Sequence, residues 1–135
     1  MAAPSRDDRT LEKGRYGTVE FAIRADGTME AKSWFDKSPV NVLASFDVLF
    51  RRLVDSGRIP NKEQFRQLDG DIWEFKRGDH RLLCYRIGPR VLLTHRIKKA
   101  GGRGKCPQGA ITHAQNIAAE HFQWERVNEK GGQNK

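Results

Sequence analysis

The sequence predicts an α+β domain of order β-α-α-β-β-β-α, in which the helices, a helical hairpin among them, segregate on one face of a mostly antiparallel sheet and leave the other face open to a ligand. Three observations lead there. The runs IWEFKR, RLLCYRI and VLLTHRI follow one another with GD and GPR between them, the turn signals of a β-meander. Val42, Leu43, Phe46, Leu49, Phe50 and Leu53 before them, and Ile111, Ala114, Ile117, Ala118 and Phe122 after them, recur at helical spacing. A chain of 135 residues fits one such domain, whose usual share is about 100 to 200 residues.

The elements follow in order. Residues 1 to 14 are polar and aperiodic, and are expected to form a flexible N-terminal tail. RYGTVEFAIRADG, Arg15 to Gly27, is rich in β-branched and aromatic residues and ends in Asp26-Gly27, so it reads as a strand and turn. Ala31, Trp34 and Phe35 then mark a short helix. Ser38 and Pro39 are an N-cap and first-turn proline for a second helix from about Pro39 to Asp55, closed by Gly57. Two helices so briefly linked make a hairpin. NKEQFRQLDGD reads as a polar connector, the meander follows, and the Gly-rich KKAGGRGKCP ends the last strand. Pro107 opens the final helix. The single domain is expected to span 15 to 126, with residues 127 to 135 a second flexible tail.

Charge is concentrated rather than spread. The chain carries a formal +8, yet residues 76 to 105 hold ten Lys or Arg against the single acid Asp79. A field of this kind attracts polyanions, of which nucleic acid is the commonest. Cys84 and Cys106 form neither a CxxC pair nor a disulfide framework, which points to a reducing compartment. No apolar leader or membrane-length run is present, so the expected location is cytoplasmic, with no membrane partner.

Inside the meander, cations interrupt apolar strands. Ile72, Glu74 and Lys76 share one side of the first, opposite Trp73 and Phe75. Arg81, Leu83 and Tyr85 alternate with Leu82, Cys84 and Arg86 on the second. Unbroken alternation on the third groups His95 with Val91 and Leu93, opposite Thr94, Arg96 and Lys98. Both sides of each strand carry apolar and polar residues, and one bulge inverts the register, so the alternation leaves open which side meets solvent.

Lys, Arg, His and Tyr without organised carboxylates suit phosphodiester chemistry that uses no metal or cofactor. RNA cleavage by its own 2′-hydroxyl needs a base, donors on the phosphorane oxygens, and an acid at the departing 5′-oxygen. Lys76, Arg81, His95, Lys98 and Lys99 are the candidate catalytic groups. Arg77, Tyr85, Arg96, Arg103 and Lys105 are candidate RNA contacts, Tyr85 as a stacking platform. The histidines His80, His95, His113 and His121 lack metal-ligand spacing, and AGGRGK departs from a phosphate-binding P-loop because residue 106 is Cys.

The segment "LDGDIWEFKR…HRLLCYRIG…VLLTHRIKK…P…AI..A" resembles the RelE/HigB toxin superfamily of bacterial and phage type II toxin-antitoxin systems, in particular its phage-derived, prophage-borne HigB-like branch. Leu68, Gly70, Trp73, Glu74, Arg81, His95, Lys98, Lys99, Pro107, Ile111 and Ala114 carry the likeness, strongest from 68 to 114. The resemblance implies a RelE-like fold and an endoribonuclease that cleaves mRNA on the ribosome, inhibiting translation. It also implies silencing by a cognate antitoxin, a helix-turn-helix protein in this branch. The loop HRIKKAGGRGKCP is longer and richer in glycine than is common there, and the family's C-terminal catalytic tyrosine has no counterpart. The alternatives are a ParE-like gyrase inhibitor and a basic nucleic-acid-binding protein that does not cut.

Overall fold

The computed structural model describes residues 4 to 99 and 105 to 128. A single helical turn, α1 (Arg6–Arg9), opens the described chain under a capping box, with the Ser5 hydroxyl accepting from the Asp8 amide and the Asp8 carboxylate from the Ser5 amide. Two strands follow as a hairpin, β1 (Thr10–Gly14) and β2 (Gly17–Phe21), then the helices α2 (Glu30–Lys37) and α3 (Val40–Ser56). The strands β3 (Phe65–Asp69), β4 (Ile72–Arg77), β5 (His80–Ile87) and β6 (Arg90–Lys98) come next, and α4 (Gln108–Asn128) closes the domain. It is an α+β fold around one six-stranded sheet, ordered β1-β2-β6-β5-β4-β3.

Every strand pair is antiparallel except β2 with β6, which run parallel. That exception follows from the path: the chain leaves β2, crosses one face as α2 and α3, returns at the far edge, and meanders inward until β6 lies beside β2. Gly17 lets the β1–β2 turn approach the next hairpin, since a Cβ there would overlap the Pro89 carbonyl. Gly57 closes α3 in the left-handed region, φ 83°, donating its amide to the Leu53 carbonyl at 2.8 Å.

Four expectations need correcting. The expected N-terminal tail contains β1, an edge strand against β2, and the expected polar connector contains β3, the opposite edge. Both are short and bury little, which is why alternation did not reveal them. Ser38 closes α2, its hydroxyl donating to the Trp34 carbonyl at 2.8 Å, and Pro39 rather than Ser38 stands at the N-cap of α3. Finally, the helices do not all share one face. The hairpin α2–α3 packs Phe35, Phe46, Phe50 and Leu53 against Phe75, Leu82, Val91 and Leu93. α4 packs Ile111, Ala114 and Ile117 against Ile72, Leu83 and Leu92 on the other side.

Each buried Leu or Phe in these two layers contributes about 1.5 to 3 kcal/mol, so α4 is a structural layer and not an appendage. Its alanines Ala114 and Ala118 let it lie close to the strands. It runs two residues past 126, to Asn128, and the remainder of the expected C-terminal tail lies outside the described residues. Among the described residues no helix is long and apolar enough to cross a membrane.

Candidate functional site

One irregularity decides which cations meet. β5 and β6 pair Leu83 with His95 and then Cys84 with Leu93, leaving Thr94 as an extra residue on β6. The Thr94 hydroxyl donates to the Leu83 carbonyl at 3.1 Å, holding the bulge. The alternation read from the sequence is therefore inverted beyond this point. His95 leaves the side of Val91 and Leu93 and faces α4, whereas Arg96 and Lys98 turn to the hairpin side.

On the α4 side, directly paired residues form rows across the strands. Lys76 of β4 pairs with Arg81 of β5, and Arg81 with Ile97 of β6. One step away, Arg66 of β3, Glu74, Leu83 and His95 form a second row. Lys99 follows β6 beside the first row, its amide donating to the Asp79 carbonyl and its ammonium to the Lys105 carbonyl, both at 2.8 Å. Lys76, Arg81, Lys99 and Lys105 thus gather where β6 leaves the sheet for α4, with Arg66 beside them.

Burial grades these groups. Arg81 is only 1% exposed, and its Nη1 donates to the Gly78 and His80 carbonyls at 2.8 and 3.0 Å, which ties the guanidinium to the β4–β5 turn. The Lys76 side chain is 11% exposed and its Nζ lies 3.3 Å from Glu63. Glu74, wholly buried, accepts from the Arg66 Nε at 2.7 Å through one oxygen, while its other oxygen has no hydrogen-bond partner among the described residues. Buried Cys106 stands over this cluster. Its thiol is pushed up to about 11, first by burial and next by Glu74, against the opposing pull of Lys99, Arg66 and Arg81.

An open cavity of about 370 Å³ borders the cluster, lined by Arg66, Gln67 and Leu68 of β3, Lys105 and Cys106, and Gln108 and Ile111 of α4. α4 presents its N-terminal end here with no acidic residue in the first turn, so the positive end of the helix dipole adds to the cationic field.

His95 does not join the proton-moving groups. It is 6% exposed and packs edge-on against His113 of α4, ring centroids 4.6 Å apart, with its Nδ1 3.2 Å from the Thr94 hydroxyl. Burial, then the neighbouring His113, pushes the imidazole down to about 4, so it is neutral at physiological pH. His113 in turn lies 3.1 Å from Glu30, which accepts from Arg24, and Arg24 bridges on to Glu120. This chain clamps α2, α4 and the end of β2 together.

The remaining candidates lie elsewhere. Lys98 pairs with His80, whose ring packs against Trp34 and Phe46, so Lys98 is on the hairpin side. Arg96 sits over the Trp34 ring and Arg77 donates to the Ser45 carbonyl there. The His80 imidazole lies below its usual range because of burial and the charges of Arg96 and Lys98. Tyr85 meets Phe122 edge-on at 5.4 Å under α4, and burial followed by Asp71 raises its phenol pKa. It is a rim residue of the core, not a free stacking platform. Arg103 lies outside the described residues.

Two residues of the cluster are absent from the sequence candidates: Arg66, which lies in a stretch whose polarity reads as a connector, and Glu74, which the sequence groups with Lys76 without giving it a role in the chemistry. Its position between apolar residues on a strand was the available signal. Among known proteins, no family model matches the chain, and no curated protein matches it.

Proposed function

We propose that this chain is the toxin of a type II toxin-antitoxin pair, a metal-independent endoribonuclease that cuts mRNA. The observation that carries the reading is the convergence of Lys76, Arg81 and Lys99, picked from sequence for phosphodiester chemistry, on one side of the sheet beside an open cavity. The fold supports it too. An α+β domain with a mostly antiparallel sheet and a helical hairpin on one face accords with the RelE/HigB resemblance, although α1, β1 and β3 depart from the order β-α-α-β-β-β-α expected of it.

In this reading the 2′-oxygen attacks phosphorus and the bond from phosphorus to the 5′-oxygen breaks. Lys99 offsets the charge on the phosphorane as a cationic donor, and Arg81, buried behind it, adds its field. Lys76 and Lys99 are the groups there able to move protons from the 2′-hydroxyl and toward the departing oxygen. His95, neutral and buried, seats α4 over the sheet. Lys98, Arg77 and Arg96 extend the positive field on the hairpin side and hold flanking phosphates. The cognate antitoxin and the ribosome are the partners this reading brings.

Induction in bacteria with mapping of transcript 5′ ends tests it. New ends and arrested growth are expected with the wild type and absent with Lys99→Ala; intact messages on wild-type induction overturn the reading. The burial of Arg81 favours a second reading, a protein that binds nucleic acid or poisons gyrase without cutting. Damaged DNA with uncut RNA is its signature.

A further inference from the structure

The cavity beside the cation cluster has walls that the cleavage chemistry does not use. Leu68 from β3 and Ile111 from α4 belong to one apolar cluster and face the cavity from two elements. Buried Cys106 completes the apolar lining, and its protonated thiol is a small, weakly polar surface. Two side-chain amides, Gln67 and Gln108, stand at the margin with Arg66 and Lys105. Apolar walls, a few convergent amides and flanking cations are what a flat heterocycle joined to phosphates requires. The volume, about 370 Å³, sits near the lower end of small-molecule sites, about 300 to 1,000 Å³. It holds one ring and its sugar, and is too small for a helix.

We infer that this cavity receives one unstacked base of single-stranded RNA and sets the sequence preference of the protein, an inference that rests on the RNA reading above. The phosphates on either side of the base lie on Arg66 and Lys105, and the Lys99–Lys105 link places the base a short step from Lys76 and Arg81. Gln67 gives the pocket a polarity. One of its two amide N–H groups donates to the Gly70 carbonyl at 2.6 Å, which holds the amide in place with its oxygen available as an acceptor. An accepting oxygen favours the exocyclic amino group of adenine, cytosine or guanine over uracil, whose single donor, N3–H, is flanked by two carbonyl acceptors.

The test uses the full chain and short single-stranded RNAs, 2′-O-methylated throughout so that they cannot be cut, differing in the base at one position. Binding is read by fluorescence anisotropy. At the recognised position an amino-bearing base should bind about tenfold more tightly than uracil, the size of one hydrogen bond. Leu68→Trp, which fills the cavity, and Gln67→Ala, which removes an exposed side chain, should each bring that ratio to about one. RNA bound with equal affinity whatever the base, or a preference that survives both substitutions, overturns the base pocket and leaves the RNA reading standing. Absence of binding to any RNA overturns both.

Discussion

The two ends of β6 are both rich in arginine and lysine, but they treat charge in opposite ways. At the start of β6, Arg90 donates to Glu20 at 2.8 Å and to Glu125 at 2.6 Å. Arg6 reaches Glu20 at 3.0 Å, and buried Arg9 lies between Glu20, Glu125 and the Trp124 ring. His121, 3.1 Å from Glu125, accepts the Ile23 amide on its other nitrogen. Burial alone would raise the Glu20 and Glu125 pKa values; hydrogen bonds from Arg90, with Thr18 at Glu20 and His121 at Glu125, outweigh it and keep both ionised. Each cation here faces a carboxylate. At the other end, Lys76, Arg81, Lys99, Lys105 and Arg66 share two carboxylates, buried Glu74 beside Arg66 and exposed Glu63 3.3 Å from Lys76, together with several carbonyls. The first end uses its charges to hold α4 and the N-terminal hairpin to the sheet; the second carries more cations than carboxylates. A charge count cannot separate these roles, whereas the partners can.

Breaking the neutralised end should cost the most stability. Glu20→Gln leaves Arg90, Arg9 and Arg6 with Glu125 as the one carboxylate of the group, and removal of one member of a buried ionic group costs about 3 to 5 kcal/mol. Urea unfolding should show that loss. The counterpart at the open end is Lys99→Ala, expected to lower RNA cleavage about 10²-fold, as removal of one transition-state donor does. Its unfolding free energy should change by less than about 0.5 kcal/mol, because Lys99 is partly exposed. Similar stability losses at both ends would erase the distinction.

A smaller effect separates His95 from the groups proposed for catalysis. In the folded chain its imidazole resists protonation until about pH 4, against an ordinary value of 6.5. The unfolded chain therefore binds the proton first, and stability from this residue, complete above 6.5, is lost as pH falls toward 4. His95→Gln should flatten that part of a stability profile measured from pH 8 to 4. The smallest effect is on salt: the slope of log affinity for single-stranded RNA against log salt should fall by about 0.7 for Lys105→Ala, and stay constant for Arg6→Ala.

Much of this fold is written in the chain's periodicities. β4, β5 and β6 are short apolar runs set off by turn glycines, and α3 and α4 repeat at helical spacing, so the meander and helices can be read directly. β1 and β3 cannot, because an edge strand buries few side chains; Phe65 alone is buried in β3. The placement of α4 depends on which sheet face remains uncovered, a property of the assembled layers. The site was half legible. Lys76 and Arg81 stand out as cations within apolar strands, but the bulge at Thr94 arises from the fit of β6 to β5 and has no local signature. That single residue exchanges His95 for Arg96 and Lys98 on the α4 side, and brings Lys99 to it.

The most direct test of the central claim is a cleavage assay with purified protein, end-labelled single-stranded RNA and excess EDTA, comparing the wild type with Lys99→Ala and Arg6→Ala. The expected result is cleavage by the wild type and Arg6→Ala, with fragments ending in a 2′,3′-cyclic phosphate, and loss of cleavage in Lys99→Ala. RNA left intact by folded wild-type protein that binds it, both free and on ribosomes, would contradict the assignment of the cationic end of the sheet to catalysis.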